Sequence, residues 1–498
     1  MPPARETSVL IIGGGPSGLL SGLLLARAGV PCVICEQHAG LSTHPKAMGI
    51  TRRTAEIFRE LGLLERMRSE DFSDASTQFM IWAKSLAGEE LGHAPLPPAD
   101  SPLSPCAPFH SPQTHTEAVL LSALEAEPLA TVLFGHRVRG LNQTDHCVEV
   151  DVMTPDGPAA WVAEWVIAAD GAGSPIRRMQ GIGASGPGDL GHFLNVFFHA
   201  DPGEHLAGRR ALLYNVLRED LAEFFVSVNG RDLWLMHHFL QPGEEAKEFT
   251  PEVLVQIIRS AFGLTDIRVR ILGVAPWVMS PKVAGKFRHG RIFFTGDAAA
   301  RLSPAGGMGM NTGLQSAHNL AWKLAAVVHG EALESLLDTY ERERQAVSLA
   351  VMRHTNEGSA EILRQVDCAL KGDFDTLRTL IKESHRQRES AEFDTGVEYG
   401  VIRRLPHTWI QSGTGRISSL DLVGRRFVVL AGPEMPASGP DLPEIIRPGG
   451  IDDPEFPERA GFGRSGAILV RPDGFIAWGK GEDVTGDSIR AAHQAALC

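Results

Sequence analysis

Residues 9–18 read VLIIGGGPSG, and this stretch decides the fold of the chain. The four apolar residues predict a buried strand, and the glycines fit the pattern GxGxxG at Gly13, Gly15 and Gly18. Gly13 permits a tight turn after the strand, Gly15 lets a backbone approach a pyrophosphate closely, and Gly18 lets the following helix pack against the strand. The stretch therefore predicts a strand, a phosphate-binding turn and the start of a helix.

The residues that follow complete a strand–helix–strand unit. Residues 16–28 predict a helix that ends at Gly29, and residues 30–35 predict a second strand followed by Glu36. The free N–H groups and the dipole at the helix N-terminus favour phosphate. A carboxylate 18 residues after the last glycine of the motif can accept hydrogen bonds from ribose hydroxyls. Because an acid at this position disfavours a 2′-phosphate, the unit predicts a site for FAD or NAD rather than NADP.

Length and composition indicate the broad class of protein. The chain has 498 residues, 43% of them hydrophobic and 21% charged, which indicates a globular protein of roughly two to four domains. Its formal net charge of −13 argues against general binding of nucleic acid, which requires a basic face. The first eight residues do not resemble a signal peptide, and glycines interrupt the apolar run over residues 9–25. We therefore expect a cytoplasmic protein without a membrane span.

The six cysteines are too dispersed to form a disulfide framework. Cys32 and Cys35 form a CxxC, but they lie in the second predicted strand, where alternation would point them to opposite faces. No second CxxC or histidine pair completes a zinc site. We expect ordinary core cysteines and no metal.

Two later regions differ in character from the strand–helix–strand unit. Residues 185–275 contain four strand-like runs and a tight Asn229–Gly230 turn, which predict a separate antiparallel sheet. The end of the chain has further short strands between prolines and predicts a small appended domain. The expected fold is α/β and multidomain, with a Rossmann-like domain over residues 1–84, 106–184 and 272–394, a substrate domain over 85–105 and 185–271, and the small domain over 395–498.

Two more motifs follow predicted buried strands. Residues 170–177 read DGAGSPIR and fit DGxxSxxR, in which Asp170 can cap the turn. Residues 296–299 read GDAA, and residues 304–313 read PAGGMGMNTG before a long predicted helix. An aspartate at the end of a buried strand can bond a ribityl hydroxyl. The glycine-rich segment presents N–H groups and a helix dipole to a ring carbonyl that becomes electron-rich on reduction.

The order of these three motifs resembles that of the group A flavoprotein monooxygenases, the para-hydroxybenzoate hydroxylase-like family. The resemblance is closest to the phenol and polyketide hydroxylase branch, which has a thioredoxin-like C-terminal domain. It covers nearly the whole chain and is weakest over residues 185–270. Shorter matches are residues 45–47 (PKA), 53–57 (RTAEI), 113–120, 319–324 (NLAWKL), 340–344 and 469–478 (LVRPDGFIAW).

The resemblance implies FAD as the bound cofactor. Three positions depart from the family pattern, with Lys46 where Arg is usual, Ala300 where His is usual and Ser316 where Asp is usual. Lys46 keeps the positive charge and loses the planar fork of Arg. The cofactor-binding residues implied are Gly13, Gly15, Ser17, Gly18, Glu36, Lys46, Arg53, Gln113, Asp170, Gly296, Asp297, Pro304, Gly307, Gly309, Met310 and Asn311.

The resemblance also implies the reaction. NADPH or NADH reduces FAD, and the reduced flavin reacts with O2 to form a C4a-hydroperoxide that hydroxylates a phenolic or polycyclic, polyketide-like aromatic ring. A base near the substrate hydroxyl would help, because phenolate is the more reactive form. The candidate bases are Tyr214, His237 and His238, and the candidate pocket residues are Phe197, Phe225, Trp234 and Met236, although each of the seven is compatible with a purely structural role.

Several alternatives stay open at this stage. Baeyer–Villiger oxygenation can occur on the same scaffold, and an FAD-binding protein without catalysis is a further hypothesis. A flavin-dependent halogenase would carry a Trp-x-Trp-x-Ile-Pro segment, which the sequence lacks. The sequence leaves open whether the substrate is a simple phenol or a large polyketide, whether NADH or NADPH is the reductant, and whether the chain forms a homodimer.

Overall fold

The predicted strand–helix–strand unit forms in the computed structural model of the chain. Strand β1 (Arg5–Ile12), helix α1 (Pro16–Arg27) and strand β2 (Cys32–Glu36) follow one another, and the two strands are parallel. Both CxxC thiols are buried, and burial raises the pKa of each to about 12, so they are core cysteines. The structure describes residues 4–72, 79–95, 101–206, 208–241, 243–390, 403–413, 415–435 and 442–498.

The other elements continue in chain order. The helices are α2 (Arg52–Glu60), α3 (Leu64–Met67), α4 (Gln113–Leu124), α5 (Pro175–Met179), α6 (Pro251–Phe262), α7 (Met308–Val328), α8 (Asp338–Leu370), α9 (Phe374–Ser390), α10 (Phe456–Ala460) and α11 (Gly486–Ala496). The strands up to the middle of the chain are β3 (Gly49–Ile50), β4 (Phe79–Ala83), β5 (Glu90–Pro95), β6 (Phe109–His110), β7 (Ala130–Phe134), β8 (Arg137–Gln143), β9 (Val148–Thr154), β10 (Gly157–Ala168), β11 (Ala184–Ser185), β12 (Gly191–Ala200), β13 (Leu213–Arg218), β14 (Leu221–Ser227) and β15 (Leu233–Leu240). The later strands are β16 (Val269–Met279), β17 (Lys282–Ala284), β18 (Arg288–His289), β19 (Ile292–Phe294), β20 (Ala300–Arg301), β21 (Trp409–Ser412), β22 (Gly415–Ser418), β23 (Val428–Ala431), β24 (Glu444–Ile446), β25 (Ala467–Val470) and β26 (Ile476–Lys480).

A mainly parallel sheet carries the three sequence motifs. Its strand order is β18-β19-β10-β1-β2-β7, and the hairpin of β8 and β9 extends it from β10. β10 runs parallel to both β1 and β19. Since parallel strands bring their carboxyl ends to one edge of a sheet, the loops after β1, β10 and β19 meet there. These loops are the GxGxxG turn, the DGxxSxxR segment and the GDAA segment.

A second, seven-stranded sheet has the order β16-β12-β15-β14-β13-β4-β5. The four strands that the sequence predicted lie at its centre, and helix α6 packs on one of its faces. The outer strands β4, β5 and β16 were not predicted. Gly273 and Pro276 interrupt the apolar pattern of β16, and β5 lies within residues 85–112, where frequent prolines and glycines hide a strand pattern.

The sheet extends past the predicted limits of the substrate domain on both sides. β4 lies before residue 85, and β16 continues beyond residue 271 while pairing with β12 along its length. The division of the chain into domains stays a prediction. Residues 96–100 of the first predicted substrate segment, and residues 395–402 at the start of the predicted C-terminal domain, lie outside the described residues.

The C-terminal part has its own four-stranded sheet, in the order β24-β23-β25-β26. β23 is parallel to β24 and antiparallel to β25, and α11 packs against this sheet. A parallel pair followed by an antiparallel hairpin and a helix fits the predicted thioredoxin-like domain. Among the described residues, no helix combines the length and the apolar character needed to span a membrane.

A buried network of ion pairs and hydrogen bonds links this C-terminal part of the chain to helices α7 and α8. Arg471 donates to both carboxylate oxygens of Glu343, at 2.8 and 3.0 Å, and to Asp473 at 3.0 Å. Lys323 donates to Glu343 at 2.9 Å, and the indole N–H of Trp322 donates to Asp473 at 3.0 Å. Three of the short family matches, over residues 319–324, 340–344 and 469–478, therefore meet in one place.

We expect the substitution Asp473→Asn to destabilise the protein by about 3–5 kcal/mol, the usual cost of removing one partner from a buried ion pair. The neighbouring Arg471 charge holds the pKa of Asp473 well below its ordinary value, so its stabilisation is present above roughly pH 5 and is lost only as the pH falls through that lowered pKa. Urea unfolding at neutral pH measures the loss. Asp487→Asn, which alters an exposed pair with Arg490, is the control and should change stability by at most about 0.5 kcal/mol. Equal effects of the two substitutions would contradict the conclusion that the buried ion pair of Asp473 stabilises the protein.

Candidate active site

One cavity of about 2040 Å³ extends between the carboxyl edge of the parallel sheet and one face of the seven-stranded sheet. Pockets for a single small molecule usually measure roughly 300–1,000 Å³. The volume therefore accommodates a large cofactor together with a second molecule. The part beside the parallel sheet is lined by the three motifs, and the part beside the antiparallel sheet is lined mainly by aromatic and amide side chains.

The GxGxxG turn has the geometry that its glycines predict. Gly13 adopts φ +107°, and a Cβ there would lie 2.3 Å from the carbonyl oxygen of Ala169. A Cβ at Gly18 would lie 2.0 Å from the carbonyl oxygen of Gly13, so the helix packs directly on the turn. A Cβ at Gly15 would meet no protein atom within 4 Å, because this position faces the cavity. The turn thus leaves open the space that a pyrophosphate would fill in front of α1.

Glu36 lies at the end of β2 beside this turn. Its carboxylate accepts a hydrogen bond from the backbone N–H of Gly14 at 2.6 Å and another from the backbone N–H of His38 at 2.8 Å. The side chain also lines the cavity. The carboxylate is therefore held at the position where the sequence predicts a contact with ribose hydroxyls.

The DGxxSxxR segment holds the start of α5 in place and contacts the GDAA segment. The carboxylate of Asp170 accepts from the hydroxyl of Ser174 at 2.7 Å and from the backbone N–H of Ile176 at 2.9 Å, so it caps the start of α5. Burial raises the pKa of this carboxyl. Arg177 donates to the carbonyl oxygen of Ala298 at 2.8 Å. The second motif therefore fixes the position of the third.

The GDAA segment and the glycine-rich turn form the opposite wall. The Asp297 side chain lines the cavity. Its partial removal from water raises the pKa of the carboxyl, while the positive charges of Arg301 and Lys46 act in the opposite direction. Gly307, at φ +66°, starts helix α7. Asn311 accepts from the backbone N–H of Thr51 at 2.9 Å and donates to the carbonyl oxygens of Gly49 and Gly307, at 2.8 and 2.9 Å. Asn311 thus joins the glycine-rich turn to the start of α2.

The structure brings nearly all the predicted cofactor residues around the same cavity. Gly18 lies behind the turn, where it permits the close packing of helix and strand. The residues that line the cavity are Gly13, Gly15, Ser17, Glu36, Lys46, Gln113, Asp170, Gly296, Asp297, Pro304, Gly307, Gly309, Met310 and Asn311. Their direct contacts with a cofactor stay a prediction.

Arg53 is the exception, and its assignment to the cofactor is corrected. It is buried, donates to the carbonyl oxygen of Asp473 at 2.8 Å and forms an ion pair with Glu56 at 3.2 Å. Its neighbour Arg52 lines the cavity instead. One step along a helix turns a side chain by about 100°, so consecutive arginines face different surroundings.

The face of the antiparallel sheet that lines the cavity is defined by strand alternation. Asn195 on β12, Asn215 on β13, Phe224 on β14 and His237 on β15 all line the cavity. On β16, Trp277 also lines it and stacks on Phe193, with ring centroids 4.8 Å apart. This face is therefore an aromatic wall with a few polar groups.

The opposite face carries Trp234 and Met236, and their assignment to the substrate pocket is corrected. Both pack in the core against α6, where Trp234 makes an edge contact with Phe262 at 5.3 Å between ring centroids. Phe225 packs on Phe262 as well, at 5.5 Å, but it also lines the cavity, so its role stays a prediction. Phe197 lies on the cavity-side face, with its ring centroid 5.9 Å from that of His44. A shift of one residue moves a side chain to the other face of a sheet, which apolarity alone does not reveal.

Two of the three candidate bases also lie on the wrong face. The Tyr214 hydroxyl donates to the carbonyl oxygen of Arg209 at 2.9 Å, and burial raises its pKa to about 12. His238 is buried with Glu223, with Nδ1 2.6 Å from Oε1. Tyr214 and His238 are therefore structural residues of the α6 core.

His237 faces the cavity, and its orientation is fixed by an amide. Its Nδ1 lies 2.6 Å from Oδ1 of Asn195, the residue directly opposite it on β12. Because an amide oxygen can only accept, Nδ1 carries the proton and Nε2 keeps a lone pair. Burial, reinforced by nearby His44, lowers the pKa of His237 to about 4. The side chain is thus a neutral imidazole with one free acceptor near neutral pH.

Asn195, His44 and Trp277 are site residues that sequence reasoning missed. Asn195 had an available signal, because pairing of the two predicted strands could have placed it opposite His237. His44 lies in a loop, and β16 was not predicted as a strand, so neither His44 nor Trp277 carried a local pattern.

Comparison with known proteins agrees with this geometry. Residues 6–355 match the model of the FAD-binding domain, and residues 401–497 match that of the C-terminal domain of aromatic-ring hydroxylases. The chain belongs to the FAD-dependent aromatic-ring monooxygenases. The resemblance to the polyketide hydroxylase branch and the expected fold are thereby confirmed.

Relatives of this monooxygenase include enzymes named for a tetracenomycin and for a nitrocatechol. The tetracenomycin A2 monooxygenase-dioxygenase of Streptomyces glaucescens is 34% identical, over 95% of this chain and 93% of that protein. The 4-methyl-5-nitrocatechol 5-monooxygenase of a Burkholderia species is 33% identical, over 100% and 98%. Among solved structures, a ternary complex of aklavinone-11 hydroxylase with FAD and aklavinone has a TM-score of 0.86, with 28% identity and 99% of both chains covered.

FAD is the cofactor of this monooxygenase, and the chain fits it. The open space at Gly15 is suited to the pyrophosphate, and Glu36 is placed to reach a ribose. Asp297 and the N-terminus of α7 also line the cavity, and they would hold a ribityl hydroxyl and a ring carbonyl that becomes electron-rich on reduction.

Proposed function

We propose that this monooxygenase hydroxylates a phenolic ring of a fused-ring, polyketide-like substrate, with NADPH or NADH as the reductant. The observation that carries the proposal is the aromatic wall with His237 at its centre, continuous with the FAD cleft in one cavity. The size of the cavity supports a substrate larger than one ring. The relatives named for tetracenomycin and aklavinone support the same substrate class.

FAD, when bound and reduced, supplies the activation of O2 and the transfer of one oxygen atom to the ring. The protein must position that ring and remove its hydroxyl proton. Trp277 and Phe193 provide flat apolar surface for the ring, and Nε2 of His237 accepts the hydroxyl proton while Asn195 holds Nδ1. A phenolate that forms beside the imidazole favours its protonated form and so opposes the lowered pKa.

The aromatic wall also serves to exclude water. Phe193, Phe239 and Trp277 cluster, with Phe193 5.1 Å from Phe239 between ring centroids. Excluding water limits unproductive side reactions with the solvent. It also strengthens the hydrogen bond between the substrate and His237. A cytoplasmic location and a homodimer remain predictions.

The proposal is tested with the purified holoprotein. We expect flavin absorbance and oxidation of NADPH or NADH that is stimulated by phenolic fused rings, with a product heavier by one oxygen atom. A protein that cannot be reconstituted with FAD would overturn the cofactor assignment. Flavin without ring-stimulated turnover by any compound of a naphthol and hydroxyanthraquinone panel would overturn the proposed substrate class.

A further inference from the structure

His44 is a second imidazole in the substrate part of the cavity. It follows β2 in the loop that also carries Lys46, and its backbone is braced by Ser42, whose hydroxyl donates to the carbonyl oxygen of His44 at 3.0 Å. The backbone N–H of Ser42 in turn donates to the carboxylate of Glu117 on α4 at 3.2 Å. The loop therefore holds His44 in a defined position.

The seven-stranded sheet leaves room for this ring at one place. A Cβ at Gly273 would lie 3.2 Å from Nδ1 of His44, so the glycine permits the close approach of the imidazole to β16. Gly273 pairs with Phe197 on β12, and the rings of Phe197 and His44 meet edge to face, at 74°. Any larger side chain at position 273 would crowd the histidine.

The Nε2 atom of His44 is buried and has no hydrogen-bond partner among the residues that the structure describes. Burial lowers the pKa of the ring, and nearby Lys46 lowers it further, so the imidazole is neutral. Buried polar atoms are rarely left without a partner, because the lost hydration is costly. Because the ring of His44 lines the cavity, a rotation of the ring that turns Nε2 toward the cavity would let a hydrogen-bonding group of the bound substrate serve as the partner.

His44, from its loop, packs on the face of the sheet that also carries His237. The Phe197–Gly273 pair beneath His44 is two residues along the strands from the Asn195–Ala275 pair, and His237 lies opposite Asn195. Two residues along a strand correspond to roughly 7 Å. His237 also lies on a different strand from the Phe197–Gly273 pair, so a substrate that contacts both imidazoles must extend over more than one ring.

We propose that His44 binds a second oxygen substituent of the substrate, so that the site prefers fused aromatic rings with two hydrogen-bonding oxygens over rings with one. The proposal rests on the proposed function, in which His237 takes the first hydroxyl. His44 acts here as a specificity-determining residue, and the reacting proton does not pass through it.

The test compares the binding of 2-naphthol and 2,6-dihydroxynaphthalene to the holoprotein, measured by the change in flavin absorbance without reductant. We expect the dihydroxy compound to bind about three- to tenfold more tightly to the wild type, the value of one neutral hydrogen bond. His44→Leu should abolish that preference and leave the affinity for 2-naphthol within about twofold. His44→Gln, which keeps a hydrogen-bonding group, should retain part of it.

The matched control is His146→Leu, in an exposed turn remote from the cavity, which should keep the full preference. A His44→Leu variant that still prefers the dihydroxy compound as strongly as the wild type would overturn the proposal, and so would a wild type that binds both compounds equally or neither. Oxygenation of any phenolic ring by the wild type in those cases would show that the proposed function stands while the role of His44 fails.

Discussion

Substitution of His237 by leucine is expected to lower kcat about a hundredfold while the protein keeps its fold and its FAD. General-base residues contribute roughly 10²- to 10⁴-fold to reaction rates, and His237 is the imidazole that lines the substrate part of the cavity while Asn195 holds its Nδ1. Leucine keeps apolar volume and removes the acceptor. The measurement is the rate of product formation at saturating substrate, with the flavin content of both proteins compared.

The pH dependence separates loss of a base from simple misplacement of the substrate. The pKa of His237 is lowered to about 4 by burial, so the neutral form is present at neutral pH, and the wild-type rate should fall only as the pH drops through about that value. In His237→Leu the rate should depend on preformed phenolate and rise about tenfold per pH unit below the phenol pKa of about 10. A variant rate that is independent of pH between about 7 and 9 would contradict the role of His237.

The adjacent histidine provides the matched control. His238 points to the opposite face and is paired with Glu223, and glutamine at that position can still donate to the carboxylate. We expect His238→Gln to reduce stability by about 1–3 kcal/mol and to leave kcat within about twofold of the wild type. Equal losses of kcat in the two variants would show that strand alternation does not determine the site.

Substitution of Gly15 by valine is expected to raise the Kd for FAD by about five- to a hundredfold without destabilising the apoprotein. Gly15 has φ −76° and ψ −179°, which valine adopts readily, and a Cβ there meets no protein atom within 4 Å. The side chain would occupy the space left for the pyrophosphate. Overpacking of this kind costs about 1–3 kcal/mol, and the upper value corresponds to roughly a hundredfold in affinity.

Titration of the apoprotein with FAD, followed by flavin fluorescence, gives the Kd, and thermal unfolding without FAD gives the stability. Gly183→Ala is the control, because Gly183 is exposed and its Cβ would also meet nothing within 4 Å. Both apoproteins should unfold within about 0.5 kcal/mol of the wild type. A Gly15→Val protein that binds FAD as tightly as the control would place the pyrophosphate elsewhere.

The FAD half of the site was predictable because its signals are local in the backbone. A tight turn at Gly13, an open approach at Gly15 and close packing at Gly18 each require glycine for a reason that the next few residues reveal. The three motifs each follow a strand, and parallel strands bring such ends together without knowledge of the complete fold. The order of the motifs therefore located most of the lining correctly.

The substrate half was not predictable in the same way, because both faces of the antiparallel sheet are apolar. One face packs on α6 and the other lines the cavity, so Met236 and His237 differ in role although both lie in one apolar strand. The pairing of His237 on β15 with Asn195 on β12, together with the pairing of β16 along β12, determines which face of the sheet lines the cavity. That information depends on pairing between distant segments.

Arg53 illustrates a third kind of signal. The sequence match singled out this residue, but the prediction assigned it to the cofactor, whereas its side chain contacts Asp473 and Glu56. In the structure it contacts the C-terminal part of the chain, more than four hundred residues later, at the carbonyl oxygen of Asp473. A short sequence match does not distinguish a contact with cofactor from a contact between domains. The same holds for Glu343 and Arg471, which meet only in the folded protein.

The most direct test of the account is the fate of molecular oxygen during turnover. The purified holoprotein is incubated under ¹⁸O2 with NADPH or NADH and with 2,6-dihydroxynaphthalene and related phenolic fused rings, and the products are analysed by mass spectrometry. We expect a ring-hydroxylated product that carries one ¹⁸O atom. Consumption of O2 that yields only hydrogen peroxide with every ring compound, or a hydroxylated product whose new oxygen comes from water, would contradict it.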